Sequence, residues 1–350
     1  MKKVVFRCDA SESIGIGHVM RCLTLADGLK RKGAQCWFIC RDKRGHLGSE
    51  IIKHGHQLAL LPPKTKQDFI RETAHSAWLG CSQAEDADEC IVILQKVSCD
   101  WLVVDHYAID CIWETAVRPF CSKILVIDDL ADRQHNCDVL LDQNIPLPNK
   151  TDYRLLVSPE TILLIGCEYC LLREQFYRTG KKIIPEGGKP NILAYFGGTD
   201  PSGFSQSFLT YFHEQQLSKK YTLHFVTTSH NPRLDEIIRL CREVNCYLFV
   251  DTDDMAELMR YQQAAVVACG FVCYELAAMA IPTVYVAASD IQQHVAQTLE
   301  QTGIGIYAGR NFDQINLNKL LLRAINLPID KFLSFNTGGT EKIVNLILER

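Results

Sequence analysis

The sequence predicts an α/β protein made of two tandem, doubly wound Rossmann-like domains with a cleft between them. Three observations carry that expectation. The chain has 350 residues, too many for one ordinary domain and enough for two of roughly 175 each. Short apolar, β-branched runs recur along it, each followed by a segment with helical periodicity, which is the pattern of parallel βαβ units. The alternation breaks once, at 179–190 (TGKKIIPEGGKP), where 5 of 12 residues are Gly or Pro, and then restarts.

Taken in order, strands are expected at 4–7, 35–40, 57–61, 101–105, 124–128, 139–142 and 162–165. The clearest helix between them is 18–32, where Val19, Cys22, Leu23, Ala26 and Leu29 fall on one face and Gly33 closes the end. The second half repeats the scheme with strands at 192–196, 222–226, 247–250, 265–268, 283–286 and 305–307. Its helices are expected at 204–215, 233–244, 255–261, 272–280 and 292–301, with a last one at 341–349. The domains are therefore 1–180 and 191–350, with 181–190 as linker. Ligands of such sheets sit at the carboxyl ends of the strands, where glycine-rich loops meet helix starts.

Composition excludes several classes. With 47% hydrophobic and 22% charged residues the chain is globular, and neither disorder nor a fibrous repeat fits. The charge is 37 − 41 = −4 with no basic block, which argues against nucleic acid or an anionic membrane as partner. The 16 cysteines are scattered through apolar stretches and read as small apolar fillers in a reducing compartment, not as a disulfide framework. Arg7 follows Val4-Val5-Phe6 at once, so no signal-peptide core forms. The most membrane-like stretch, 261–289, is interrupted by Gly270, Glu275 and Pro282. The expectation is a soluble, cytoplasmic monomer.

Four segments carry chemistry. After the first strand comes Gly15-Ile16-Gly17-His18, where two glycines let a ligand approach the backbone and His18 opens the helix. The helix dipole there disfavours imidazolium, which suits His18 as a proton acceptor; a packing or capping histidine is the plainer reading. The second domain opens with Gly197-Gly198-Thr199-Asp200-Pro201-Ser202-Gly203, a glycine loop whose amides and hydroxyls at a helix start suit a diphosphate. It lacks the Lys-Ser/Thr of an ATP-hydrolysing loop, and Asp200-Pro201 also reads as a cap. Glu275 stands in an apolar stretch and needs a partner if buried; a ribose offers two hydroxyl donors. Asp105-His106-Tyr107 ends a first-domain strand, on the same side of the sheet as His18.

Other polar residues have structural explanations. Asp128, Asp129, Asp138 and Asp142 read as caps and turns. Cys167 and Cys170 have CxxC spacing with no second pair to complete a zinc site. The acidic run 251–254 precedes a helix and reads as its cap, although D-x-D holds a divalent ion in some sugar transferases. No segment calls for a metal or a cofactor.

Together these residues make the chain resemble the UDP-2,4-diacetamido-2,4,6-trideoxy-β-L-altropyranose hydrolases of pseudaminic acid biosynthesis. That family is related to the GT-B glycosyltransferases. The segments that carry the resemblance are VVFRCDASESIGIGHVMRCLTLADGL, VVDHYAI, VIDDLADRQHNCDVLLDQN, YCLLREQF, FGGTDP and ACGFVCYELAAMAIPT. The most specific is R-x-D-x-S-x-x-I-G-x-G-H-x-x-R.

The resemblance implies a GT-B fold with the sugar on the N-terminal domain and the nucleotide on the C-terminal one. It implies His18 as the catalytic base, with Gly15, Gly17, Tyr107, Arg173 and Gln292 contacting substrate. It assigns Gly197, Gly198, Thr199, Asp200 and Glu275 to UDP. Where family members often carry an Asn-Gln pair, this chain reads Ile291-Gln292. The implied reaction is hydrolysis of the UDP-sugar with inversion. Two alternatives stay open: a GT-B glycosyltransferase with another acceptor, and a sugar-nucleotide-binding protein without catalysis.

Overall fold

The structure, a computed structural model, describes residues 1–64, 73–146, 150–178, 183, 187–252, 254–328, 332 and 338–350. These form two compact units. One comprises 1–172 together with 338–350, and the other 173–337.

The first unit contains β1 (Lys3–Cys8), α1 (Gly17–Arg31), β2 (Gln35–Arg41), α2 (Gly48–Lys53), β3 (Gln57–Leu61), α3 (Gln83–Val97) and β4 (Cys99–Asp105). It continues with α4 (Cys111–Val117), β5 (Cys121–Ile127), β6 (Val139–Asp142) and β7 (Ile162–Ile165). The strands form one parallel sheet ordered β3-β2-β1-β4-β5-β6-β7. Both faces are covered, which is why the strands read as nearly unbroken apolar runs. On β1, Val4, Phe6 and Cys8 join a core with Val19, Cys22, Ala26 and Leu29 of α1. Val5 points the other way, into a core with Cys90 and Leu94 of α3 and Trp113 of α4.

The second unit runs through α5 (Gln175–Arg178), β8 (Asn191–Tyr195), α6 (Phe204–Glu214), β9 (Thr222–Thr227), α7 (Leu234–Val244), β10 (Tyr247–Val250) and α8 (Met255–Arg260). It ends with β11 (Ala264–Ala268), α9 (Val272–Ala278), β12 (Thr283–Val286), α10 (Asp290–Gln301), β13 (Gly305–Gly309) and α11 (Leu317–Ile325). Its parallel sheet is ordered β10-β9-β8-β11-β12-β13. Phe196, Phe208, Phe225 and Phe312 pack together in its core.

The last helix, α12 (Gly339–Glu349), departs from the expected boundaries. Sequence order groups it with the second domain, yet Ile343, Val344 and Ile347 pack into the core that α1 lines. The Thr340 hydroxyl donates to the Leu172 carbonyl at 2.8 Å, and Lys32 Nζ donates to Asn345 Oδ1 at 2.7 Å. An amphipathic stripe shows that a helix has a buried face but not which neighbour buries it. The break between units falls after Leu172, and the expected linker 181–190 lies mostly outside the described residues.

All sixteen cysteines carry free thiols, most of them buried. Among the described residues no helix is long and apolar enough to cross a membrane. Also among the described residues, no group of three His, Cys, Asp or Glu side chains is arranged to hold a metal ion.

Candidate functional site

In doubly wound sheets the strand order reverses at one point, and the loops diverging there leave a crevice beyond the strand ends. In the first unit the reversal lies between β1 and β4, which end at Cys8 and Asp105. The loop leaving β1 turns back on itself. Gly15 N donates to the Ser11 carbonyl at 2.8 Å, and Ile14 N donates to Ser11 Oγ at 3.0 Å. Gly15 adopts φ +82°, a conformation that a residue with a Cβ takes only at a cost. Both Gly15 and Gly17 are exposed, with open space where a Cβ would project. Helix α1 then starts with no side-chain cap and no acid in its first turn.

His18, the second residue of α1, is buried beside this exposed loop. Its Nδ1 lies 2.6 Å from Asp105 Oδ1. The same carboxylate accepts from Arg21 Nε and Nη2, each at 2.6 Å. Burial alone would raise the Asp105 pKa, but the Arg21 guanidinium, then His18, hold it well below the usual carboxylate range. An ionised Asp105 only accepts, so Nδ1 carries the proton. In the neutral ring Nε2 keeps the lone pair, the state a proton acceptor needs.

Tyr107 stands edge-on to the imidazole, ring centroids 4.6 Å apart. Trp78 stacks on Tyr107 at 5.7 Å, and His75 lies 4.6 Å from Trp78. The Tyr107 hydroxyl donates to Asp129, which also accepts from Arg21 Nη1 at 2.6 Å. His18, Asp105, Arg21, Tyr107 and Asp129 thus form one hydrogen-bonded and ring-packed cluster at the strand ends.

The front of the R-x-D motif does different work. Arg7 is fully buried and bonded to Asp9 at 2.7 Å and to Asp86 at 2.7 Å and 3.1 Å. Arg41 and Trp113 Nε1 also bond Asp86, and Arg41 N donates to Asp9 at 2.7 Å. This closed ion network ties β1, β2, α3 and α4 together beneath the loop. His106 belongs to it through Asp9 at 3.3 Å.

In the second unit the reversal lies between β8 and β11. Gly197 follows β8 at φ +96°, and Thr199 is exposed in the same loop. The Gly198 carbonyl accepts from the Thr228 hydroxyl at 2.7 Å, anchoring the loop to the end of β9. Asp200 is buried, and its carboxylate accepts from Phe204 N at 3.0 Å and Ser205 N at 2.7 Å. Asp200 is therefore the cap of α6. Those two amides, which the sequence pattern offers to a diphosphate, already have a partner.

Glu275 occupies the first turn of α9, beyond β11. Arg173 Nη2 approaches its Oε1 at 3.3 Å. Burial raises the Glu275 pKa above its ordinary value, against the opposing pull of Arg173. Tyr195 nearby is pushed up to about 12, by burial first and then by Glu275. Arg173, expected to contact substrate, belongs to the second unit and pairs with Glu275. Gln292 is engaged locally: Ser289 Oγ accepts from Gln292 N at 3.3 Å, and Gln292 Oε1 accepts from Ala288 N at 2.8 Å. Ser289 is the N-cap of α10, and the Gln292 side chain reaches one residue further back, to the amide before the cap.

Of the expected caps and turns, Asp128 accepts from Leu130 N and Ala131 N at 3.2 Å and 2.9 Å, and Asp142 from Asn144 N at 3.0 Å. Asp254 caps α8 through Glu257 N at 3.0 Å, while Asp253 lies outside the described residues. Asp138 and Asp129 differ: Asp138 accepts from Ile124 N of β5 at 2.8 Å and pairs with Arg118, and Asp129 joins the His18 cluster. Arg21, Asp129 and Trp78 are the residues that sequence reasoning left out of the site. Arg21 had a signal: it stands one helical turn after His18, on the same face.

No family model matches the chain. In sequence it is 28% identical over 259 residues to the UDP-2,4-diacetamido-2,4,6-trideoxy-beta-L-altropyranose hydrolase of Campylobacter jejuni, spanning 73% of this chain and 81% of that protein. It is 23% identical over 303 residues to the spore coat polysaccharide biosynthesis protein SpsG of Bacillus subtilis, spanning 86% and 82% respectively. Among solved structures it matches MurG of Acinetobacter baumannii over the whole of both chains, with a TM-score of 0.65 and 14% identity. The two parallel sheets of seven and six strands make this a GT-B fold.

Proposed function

We propose that the chain hydrolyses a UDP-linked 2,4-diacetamido-2,4,6-trideoxy-L-altrose at the anomeric carbon. His18 Nε2 takes a proton from water as the water oxygen attacks C1. The bond from C1 to the diphosphate oxygen breaks, its electron pair leaves with UDP, and the free sugar forms with inverted configuration. The Gly197-Gly198-Thr199 backbone faces the diphosphate and stabilises the charge that gathers there. Glu275 accepts hydrogen bonds from the ribose hydroxyls. Ion-paired Asp105 keeps the His18 ring in the required tautomer and steadies the imidazolium that forms.

The observation that carries this reading is the 2.6 Å bond from His18 Nδ1 to Asp105, which presents Nε2 as the acceptor. The similarity to the Campylobacter jejuni hydrolase supports the choice of substrate. The test is UDP release from the altrose nucleotide in heavy-oxygen water, with UDP-N-acetylglucosamine as control. Hydrolysis requires UDP without any acceptor and label at C1 of the sugar. His18→Asn should lower turnover by about 10²–10⁴-fold. Release only on addition of an acceptor would assign a transferase instead, and UDP binding with no turnover a binding protein.

A further inference from the structure

The phenol of Tyr107 has one proton, and the structure gives it a destination. The hydroxyl lies against Asp129 Oδ2 at 2.5 Å. The same Oδ2 accepts from Arg21 Nη1 at 2.6 Å, and Asn144 Nδ2 donates to Oδ1 at 2.6 Å. An ion-paired carboxylate accepts and does not donate, so the Tyr107 proton points inward and the phenol oxygen keeps its lone pairs for a donor on the other side. Burial, then Asp129, raise the Tyr107 pKa well above its ordinary value, so the group stays a phenol. The planar guanidinium of Arg21 meanwhile grips Asp105 through Nε and Nη2. One cation therefore fixes both the carboxylate that orients His18 and the carboxylate that orients Tyr107.

We propose that Arg21 and Asp129 are positioning residues that fix the polarity of the Tyr107 hydroxyl, making Tyr107 an acceptor for an N–H or O–H donor on the bound sugar. The sugar as ligand rests on the hydrolase reading above; the polarity of the hydroxyl does not. A diacetamido sugar carries two amide N–H groups, donors that an outward-pointing phenol proton would repel, and one ring hydroxyl, which can donate to the phenol oxygen. Lysine cannot replace Arg21 here, because an ammonium lacks the flat fork that spans two carboxylates.

Two measurements test this. The first needs no substrate: tyrosine is labelled with ¹³C at Cζ, and the Tyr107 signal is identified as the one missing in Tyr107→Phe. It should shift in Asp129→Asn and in Arg21→Lys while the other tyrosine signals stay close to wild type. An unmoved Tyr107 signal in Asp129→Asn overturns the proposal whatever the enzyme does. The second is a double-mutant cycle on kcat/KM with the altrose nucleotide. Tyr107→Phe and Asp129→Asn should each lose on the order of tenfold, and the double variant should lose no more than the worse single one. Fully additive losses, or a normal Asp129→Asn, overturn the proposal. Absence of UDP release from the wild type would instead count against the hydrolase reading, and the resonance of Tyr107 would still decide the polarity.

Discussion

Asp105 and His18 lie 87 positions apart in the chain and 2.6 Å apart in space, joined because β4 pairs with β1 at the point where the first sheet reverses direction. The pair makes the histidine directional: Nδ1 is committed to Asp105, and Nε2 is the nitrogen proposed to take the proton from water.

Replacing Asp105 by Asn therefore tests orientation apart from binding. The carboxamide can donate to Nδ1 and stabilise the wrong tautomer, so turnover should fall by about 10²–10⁴-fold. UDP affinity should be unchanged, because the residues proposed to hold UDP belong to the second unit. Single-turnover kinetics beside a UDP titration separates the two effects. A parallel loss of UDP binding would mean that Asp105 supports more than the histidine.

The Glu275 carboxyl titrates above its ordinary value of 4.5, so acid should act on nucleotide binding early. As pH falls through that raised pKa the carboxylate is protonated and loses acceptor strength toward ribose. UDP binding should weaken at a higher pH than a solvent-exposed glutamate would allow. Arg173→Ala removes the group opposing the rise and should move the weakening to still higher pH. Glu275→Gln should cost roughly 10- to 100-fold in UDP affinity and abolish this pH step, as read by calorimetry.

The network around Arg7 should govern stability and leave the chemistry alone. Asp86→Ala removes the carboxylate that Arg7 and Arg41 share, leaving Arg7 only Asp9 and Arg41 only Glu89, and should cost about 3 kcal/mol in the first unit. The Asp9 and Asp86 pKa values are depressed: burial opposes ionisation, but Arg7 outweighs it. A depressed carboxyl contributes stability above its unfolded value of 3.8, and that contribution is lost as pH falls toward the folded value. Chemical denaturation should thus show a stability plateau above about pH 4 and a steep decline below it, shallower in Asp9→Asn.

Removing 338–350 should uncover the face of α1 that Ile343, Val344 and Ile347 cover. Calorimetry should show the transition of the first unit lowered or lost and that of the second preserved. Loss of both transitions together would mean that the units do not melt independently.

The strands were legible because a sheet covered on both faces leaves continuous apolar runs in sequence, and β1 through β13 all fall on such runs. The helix α3 was not foreseen, although Ser82 caps it through Glu85 N, and Ser-x-x-Glu is a readable start signal. His18, Glu275, Asp105, Tyr107 and Arg173 stood out by residue type and surroundings, but the pairings among them, and the parts of Arg21 and Asp129, did not. Asp128 and Asp129 show why: adjacent and chemically identical, one holds a turn and the other bridges Arg21 and Tyr107. Side chains of neighbouring residues leave the backbone in different directions, and only the packed neighbours decide which of them meets the site.

The return of α12 to the first unit also sets an order of assembly. During synthesis residues 173–337 emerge before 338–350, so the second unit has its whole sequence available while the first still lacks a helix. Until then the apolar stripe of α1 beside that gap stays uncovered on the nascent chain. The first unit therefore cannot complete its core before the second has been synthesised, whatever the usual N-terminal-first tendency of translation. The half of the protein that carries His18 is begun first and is the last to be completed.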